Sequence, residues 1–82
     1  MVTSAQIRAA RGLVNWTVRD LAERSGVHRN TVTRVETEST GPGHSIAAIR
    51  AALESAGVIF VDENGEGPGV RLRKERPRNA GT

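Results

Sequence analysis

Apolar residues recur every three or four positions through the first 57 residues of the chain, a spacing that predicts amphipathic helices. Four helices are expected, over about residues 4–14, 18–25, 29–37 and 46–56. The first two open with Thr-x-x-Gln and Thr-x-x-Asp, the spacing of a capping box, in which two side chains satisfy free amides of the first turn. Segment 39–45 is rich in Gly, Pro and Ser, which predicts a loop.

The pattern changes at residue 58, where a run of β-branched and aromatic residues predicts a β-strand over Val58, Ile59, Phe60 and Val61. Asn64-Gly65 is a tight-turn pair, and residues 70–73 alternate apolar with basic side chains, which predicts a returning strand. A lone hairpin is marginally stable in water, so this one is expected to pack on the helices or on another chain. Residues 74–82 are polar and are expected to form a disordered basic tail.

Composition limits the classes of protein to which the chain can belong. Its 82 residues are 37% hydrophobic and 26% charged, enough apolar content for one small globular domain. The absence of cysteine excludes disulfides and thiolate metal sites. No apolar run approaches a membrane span and no signal peptide precedes the first helix, so a cytoplasmic protein without membrane contact is expected. One Trp, one Phe and no Tyr are too few for an aromatic platform that stacks single-stranded bases.

The charge is modestly basic, with 12 Lys and Arg against 9 Asp and Glu, and all but one of the basic residues are Arg. Arginine suits phosphate and guanine recognition, so the bias is compatible with nucleic-acid binding, but a GC-rich genome produces the same bias. Residues 1–57 carry two excess positive charges, residues 58–69 three negative and residues 70–82 four positive. This alternation argues against a uniform polyanion-binding surface.

The second and third predicted helices are joined by a turn of helix-turn-helix type. That turn needs a small residue where the helices cross (Ala22), a glycine that can adopt a left-handed conformation (Gly26) and an inward apolar residue (Val27). Residues 16–36, with Ile-Arg-Ala-Ala-Arg at 7–11, resemble the helix-turn-helix of the Cro/C1-type, or XRE, family of transcriptional regulators. The resemblance covers roughly residues 4–57.

The fold class that follows is mainly α: a four-helix helix-turn-helix bundle followed by a C-terminal β-hairpin. Residues 1–57 would form the DNA-binding domain and residues 58–73 the hairpin, which lies outside the family core. The chain after Val61 offers no further helix to cover the second face of the first strand. Val58, Ile59, Phe60 and Val61 are therefore expected at a dimer interface, the alternative being a hairpin that caps its own bundle.

The resemblance implies that the third helix lies in the major groove of double-stranded DNA and that its outward side chains contact bases. Arginine pairs with guanine, and asparagine with adenine, through two parallel hydrogen bonds. The alternative is a solvated face on which Arg34 pairs with Asn30 or Glu38. The base contacts expected from the resemblance are Arg29, Asn30, Thr33 and Arg34. The expected contacts to the DNA backbone are Thr17, Val18, His28, Thr31, Ser39, Thr40 and His44.

Arg11 and Glu36 match a family pair that forms a half-buried salt bridge between the first and third helices. Two features depart from the family pattern. Val18 stands where the family often has Gln, and the loop at 37–44 has no Lys or Arg for phosphate contacts. One subunit is therefore expected to bind DNA weakly, with a shallow dependence on salt. His28 is interpreted as a helix start or phosphate contact rather than a metal ligand, and no metal or other cofactor is expected.

Two classes of function remain open. The first is a sequence-specific regulator of transcription, acting as a homodimer on inverted repeats and controlling its own gene or a mobile element. The second is a protein-interaction module, such as an antitoxin or a decoy for another regulator, with a second protein partner bound through the hairpin. An enzyme is not expected, because the sequence has no nucleophile beside a base, no phosphate-binding glycine loop and no metal-ligand set.

Overall fold

The computed structural model describes residues 2–38, 41–62 and 65–73. Its elements are α1 (Ser4–Leu13), α2 (Val18–Ser25), α3 (Arg29–Glu38), α4 (Gly43–Ser55), β1 (Val58–Val61) and β2 (Gly69–Leu72). The two strands pair antiparallel, with Val58 opposite Leu72 and Val61 opposite Gly69. The predicted mainly α fold with a C-terminal hairpin is confirmed. The predicted tail, residues 74–82, lies outside the described residues.

Both predicted capping boxes are present. At the start of α1 the backbone amide of Gln6 donates to Thr3 Oγ1 at 3.1 Å, and the amide of Thr3 donates to Gln6 Oε1 at 2.8 Å. At the start of α2 the same two bonds join Thr17 and Asp20, at 3.0 and 2.9 Å. The bond from the backbone amide of Thr17 is the main cause that lowers the pKa of Asp20, so this carboxylate stays charged at the helix N-terminus, where a negative charge is favourable.

Two residues with positive φ separate the first three helices. Asn15 has φ 60° just after α1. Gly26 caps α2 with φ 74°, and Val27 after it is 9% exposed and part of the core. Helices α2 and α3 with this turn are therefore the predicted helix-turn-helix.

The fourth helix begins three residues earlier than predicted. Gly43, His44 and Ser45, predicted to lie in a loop, form the first turn of α4. The carbonyl of Pro42 accepts from the amides of Ser45 and Ile46 at 3.0 and 3.1 Å. Proline fixes its own φ near the value that starts a helix, and this offsets the poor helix propensity of the residues that follow. The other predicted element bounds differ from the observed ones by at most one residue.

One hydrophobic core joins all four helices to the first strand. Phe60 and Val70 pack against this core from the hairpin, β2 lies against α1, and β1 lies against α4. The hairpin therefore covers its own helices, the arrangement expected as the alternative to a dimer contact, and no other element of the described residues covers its outer face or the free edge of β1. The buried apolar residues are Ile7, Ala10, Leu21, Ala22, Val27, Val32, Val35, Ile49, Leu53 and Val58.

A buried glutamine fastens the hairpin to α1. Gln6 is 4% exposed, and its Nε2 donates to the carbonyls of Val61 at 3.1 Å and Gly69 at 2.9 Å. Val61 and Gly69 face each other across the two strands, so one amide group holds both strands at the loop end of the hairpin. The side chain that caps α1 through its oxygen thus holds the hairpin through its nitrogen.

We expect Gln6→Leu to lower the free energy of unfolding by about 1–3 kcal/mol, because the half-buried carbonyls of Val61 and Gly69 each lose the hydrogen bond from Gln6 Nε2. Amide hydrogen exchange should accelerate in β1 and β2 more than in α2 and α3. Thr3→Ala is the control, since it weakens the α1 cap and leaves both Gln6 donors in place. Equal acceleration along the whole chain in Gln6→Leu would contradict a specific role in holding the hairpin.

Candidate nucleic-acid interface

Helix α3 exposes all four side chains predicted to contact bases: Arg29, Asn30, Thr33 and Arg34. Val32 and Val35, on the opposite side of the helix, are 0% and 2% exposed. The three salt bridges found among the described residues involve neither Arg29 nor Arg34. The alternative pairing of Arg34 along its own helix is therefore not seen as a salt bridge within this part of the chain. Both arginines are exposed, so their guanidinium groups can reach an external ligand.

The end of α3 is fixed to α1 by two arginines. Arg11 donates two hydrogen bonds to the carboxylate of Glu36, from Nε to Oε2 at 2.8 Å and from Nη2 to Oε1 at 3.2 Å. Its third nitrogen, Nη1, donates to the carbonyl of Trp16 at 3.0 Å. Glu36 is 4% exposed, so its carboxylate depends on this partner. Arg8 also donates to the backbone carbonyl of Glu36. Sequence reasoning missed Arg8, whose position one turn before Arg11 was the available signal.

The start of α3 is capped by His28. Its carbonyl accepts from the amides of Thr31 and Val32 at 2.9 and 3.0 Å, and its ring Nδ1 accepts from the amide of Asn30 at 3.0 Å. In the neutral imidazole, an accepting Nδ1 leaves the proton on Nε2, so this assignment makes Nε2 a donor on an exposed ring. His28 thus lies at the helix start and keeps one hydrogen-bond donor for an outside ligand.

The residues predicted to contact the DNA backbone are spread over three helices. Thr17 is exposed at the start of α2, and Thr31 is half-buried on α3. Val18 packs its side chain against the core, and this apolar side chain offers no hydrogen bond to a phosphate. His44 is exposed in the first turn of α4. Ser39 and Thr40 lie outside the described residues.

A recess of about 570 Å³ opens between α2 and the start of α3, and we call it the α2–α3 recess. Sequence reasoning missed Arg19, whose guanidinium forms a 3.5 Å salt bridge with Glu23 at the recess. The available signal was the i, i+4 spacing of these two residues on the outer face of the helix before the turn. The recess is lined by Arg19, Ala22, Glu23, Gly26, Val27, His28 and Arg29.

Neither a metal centre nor a membrane span is found in residues 2–38, 41–62 and 65–73. These residues bring no three His, Asp or Glu side chains close enough together to hold a metal ion. Their longest helix, α4, has 13 residues, and none is long and apolar enough to cross a bilayer.

These observations define the class of the protein as a helix-turn-helix protein whose exposed second motif helix carries two arginines that lie outside the salt bridges of the described residues. The sequence model of the helix-turn-helix family, of the Cro/C1 or XRE type, matches residues 7–47, half of the chain. The chain belongs to this family of DNA-binding regulators. The match contains all of α2 and α3, and the hairpin lies beyond it. A comparison with curated proteins gave no match.

Proposed function

We propose that the protein is a sequence-specific regulator of transcription that binds double-stranded DNA in the cytoplasm, with α3 in the major groove. The observation that carries this proposal is the row of exposed side chains on α3, with Arg29 and Arg34 outside every salt bridge of the described residues. A planar guanidinium can bond to guanine O6 and N7 together. Such a contact needs a helix held in one orientation, and the buried Glu36 with Arg11 supplies that restraint.

A homodimer on an inverted repeat is the form that we propose for the active protein. Residues 37–44, from the end of α3 to the start of α4, include no Lys or Arg, so one subunit has few charged contacts to phosphate on that side. Because each phosphate contact contributes to affinity, a single subunit would bind weakly. Two subunits related by a two-fold axis double these contacts and place two recognition helices about 34 Å apart, one turn of DNA.

The open edge of β1 supports pairing with a second copy. The amide of Arg73 donates to the carbonyl of Gly57, which makes these two residues a hydrogen-bonded pair. Because such pairs alternate along antiparallel strands, the residues of β1 whose backbone groups bond to β2 are Ile59 and Val61. The backbone groups of Val58 and Phe60 then point away from β2. No backbone hydrogen bond within the described residues reaches them. An unpaired edge of this kind accepts another strand.

The side chains of the hairpin favour β1 over β2 for this pairing. Ile59 and Val61 alternate with the core-facing residues and lie half-buried on the outer face of the sheet. Antiparallel pairing about an axis at Phe60 places Ile59 of one copy beside Val61 of the other in a closely spaced pair, about 4.5 Å between Cα atoms. Pairing through β2 would instead bring Arg71 and Arg73 of two copies together, which like charges oppose.

The double variant Ile59→Lys/Val61→Lys is expected to be monomeric at micromolar concentration, because it brings like charges together across the proposed pair. The wild type is expected to have twice the 8.8 kDa mass of one chain in analytical ultracentrifugation. Leu72→Lys is the matched control, since Leu72 is 48% exposed on the other strand, and it should remain dimeric. A monomeric wild type would refute the dimer. A dimeric double variant would show that the interface lies on the helices and not on β1.

The same open edge favours one second candidate, a protein-interaction module such as an antitoxin or a decoy, in which an extended segment of another protein pairs with β1. Selection of binding sites from a pool of random duplexes separates the two functions. The regulator is expected to enrich an inverted repeat with half-sites about 10 base pairs apart, and to bind DNA upstream of its own gene or of a mobile element. Failure to enrich any duplex would favour the protein-interaction module.

A further inference from the structure

We propose that Arg19 binds a DNA phosphate in the α2–α3 recess, so that much of the sequence-independent grip comes from the α2 side of the motif. This inference rests on the proposed DNA-binding function and adds a contact that the sequence did not indicate. It also answers a question raised by the sequence, namely which residues hold phosphate when the segment after α3 carries no Lys or Arg.

The lining of the recess suits a phosphate group. Arg19 and Arg29 contribute two guanidinium groups from different helices, and His28 contributes the donor on its Nε2. Arginine presents a planar set of donors that matches two phosphate oxygens at once. Gly26 leaves the recess unobstructed, because even an added Cβ at this position would meet nothing within 4 Å. A backbone phosphate can therefore approach the donors without displacing a side chain at the turn.

The one acidic residue at the recess, Glu23, does not prevent this binding. Its salt bridge with Arg19 is long, at 3.5 Å, and the two side chains are 68% and 75% exposed. Exposed pairs of this kind contribute little to stability, so Arg19 can exchange its carboxylate partner for a phosphate at small cost. The lining retains one excess positive charge before His28 is counted.

Continuity with the proposed DNA face favours DNA over a protein as the occupant. Arg29 belongs both to the recess and to the exposed row on α3, and His28 precedes it directly. A duplex whose bases reach Arg29 has its two backbones along the sides of a major groove about 12 Å wide, next to the helix that carries this side chain. The recess thus continues the proposed DNA face at its α2 edge.

The test compares Arg19→Gln with Arg24→Gln, which removes the same charge from the same helix. Arg24 lies over the Trp16 ring at 4.9 Å and does not line the recess. Binding to the selected duplex and to a random duplex is measured between 50 and 200 mM salt. Arg19→Gln should weaken both complexes by a similar factor and reduce the salt slope by about 0.9 per bound subunit. When the salt concentration rises fourfold, the factor by which affinity falls should therefore be about 3.5-fold smaller per subunit for this variant than for the wild type.

Arg24→Gln should keep nearly the wild-type slope, and Glu23→Gln should bind both duplexes more tightly because it removes the competing carboxylate. Single methylphosphonates, which neutralise one phosphate at a time, should identify one position per half-site where the wild type loses affinity and Arg19→Gln does not. Equal effects of Arg19→Gln and Arg24→Gln would overturn the inference, and a loss confined to the selected duplex would make Arg19 a base contact. Either result leaves the proposed function standing, whereas a wild type that binds no duplex refutes both.

Discussion

Replacement of Arg11 by alanine is expected to lower the free energy of unfolding by about 3–5 kcal/mol. The variant leaves the carboxylate of Glu36 in the core, 4% exposed and without its guanidinium partner. A domain of this size has a total stability of only about 4–12 kcal/mol, so this loss removes a large fraction of the stability of the fold. The carbonyl of Trp16 loses a donor as well.

The converse variant, Glu36→Ala, is expected to cost less, about 1–3 kcal/mol. The Arg11 side chain is 26% exposed, so its charge can reach water after its partner is removed, and it can keep its bond to the carbonyl of Trp16. Glu36→Ala is expected to cost less stability than Arg11→Ala only because the Arg11 side chain is more exposed than that of Glu36. A pair with equal costs would show that the two side chains are equally desolvated.

Urea unfolding followed by circular dichroism measures both costs. Arg19→Ala is the control, because it breaks the exposed pair with Glu23 and should change stability by about 0.5 kcal/mol or less. If Arg11→Ala does not fold, the double replacement Arg11→Met/Glu36→Leu still tests the idea, since an apolar pair of similar volume should recover most of the lost stability. Melting temperatures of both single variants within a degree or two of the wild type would contradict a buried pair.

The second large effect is expected on DNA binding. Arg29→Ala and Arg34→Ala should each reduce affinity for the selected duplex by about 5- to 150-fold, the loss of one bidentate guanine contact of about 1–3 kcal/mol. Both side chains are exposed and outside the salt bridges of the described residues, so their removal should leave the melting temperature unchanged. Binding to random duplex should fall much less.

A base substitution in the site identifies the contact. If Arg34 bonds to a guanine, replacing that base pair should strongly reduce the affinity of the wild type for the duplex and hardly change the affinity of Arg34→Ala. Replacing other base pairs should reduce the affinity of both proteins equally. Arg24→Ala, which removes the same charge from the outer face of α2, is the control. Equal losses on selected and random duplex would assign Arg29 and Arg34 to phosphate rather than bases, and no loss for either would refute α3 as the recognition helix.

Local features of this protein were predictable from the sequence because their causes are local. The capping boxes at Thr3 and Thr17 depend on residues three positions apart. The left-handed end of α2 requires a glycine, and Gly26 is the residue there. Helical spacing alone puts Val32 and Val35 on one side of α3 and the exposed residues Arg29, Asn30, Thr33 and Arg34 on the other.

Features that depend on how the elements pack were decided only by the tertiary structure. Gln6 gave a capping signal, but its bonds to Val61 and Gly69 join residues 55 and 63 positions apart, and no pattern in the sequence relates them. The recess beside Arg19 exists because the turn at Gly26 sets α2 against the start of α3. The periodicity of apolar residues determines which side of a helix faces the core. Which element packs against that side depends on how the whole helices and strands are placed relative to one another. The hydrophobic effect drives this placement, and because it has no direction of its own, the sequence pattern does not specify it.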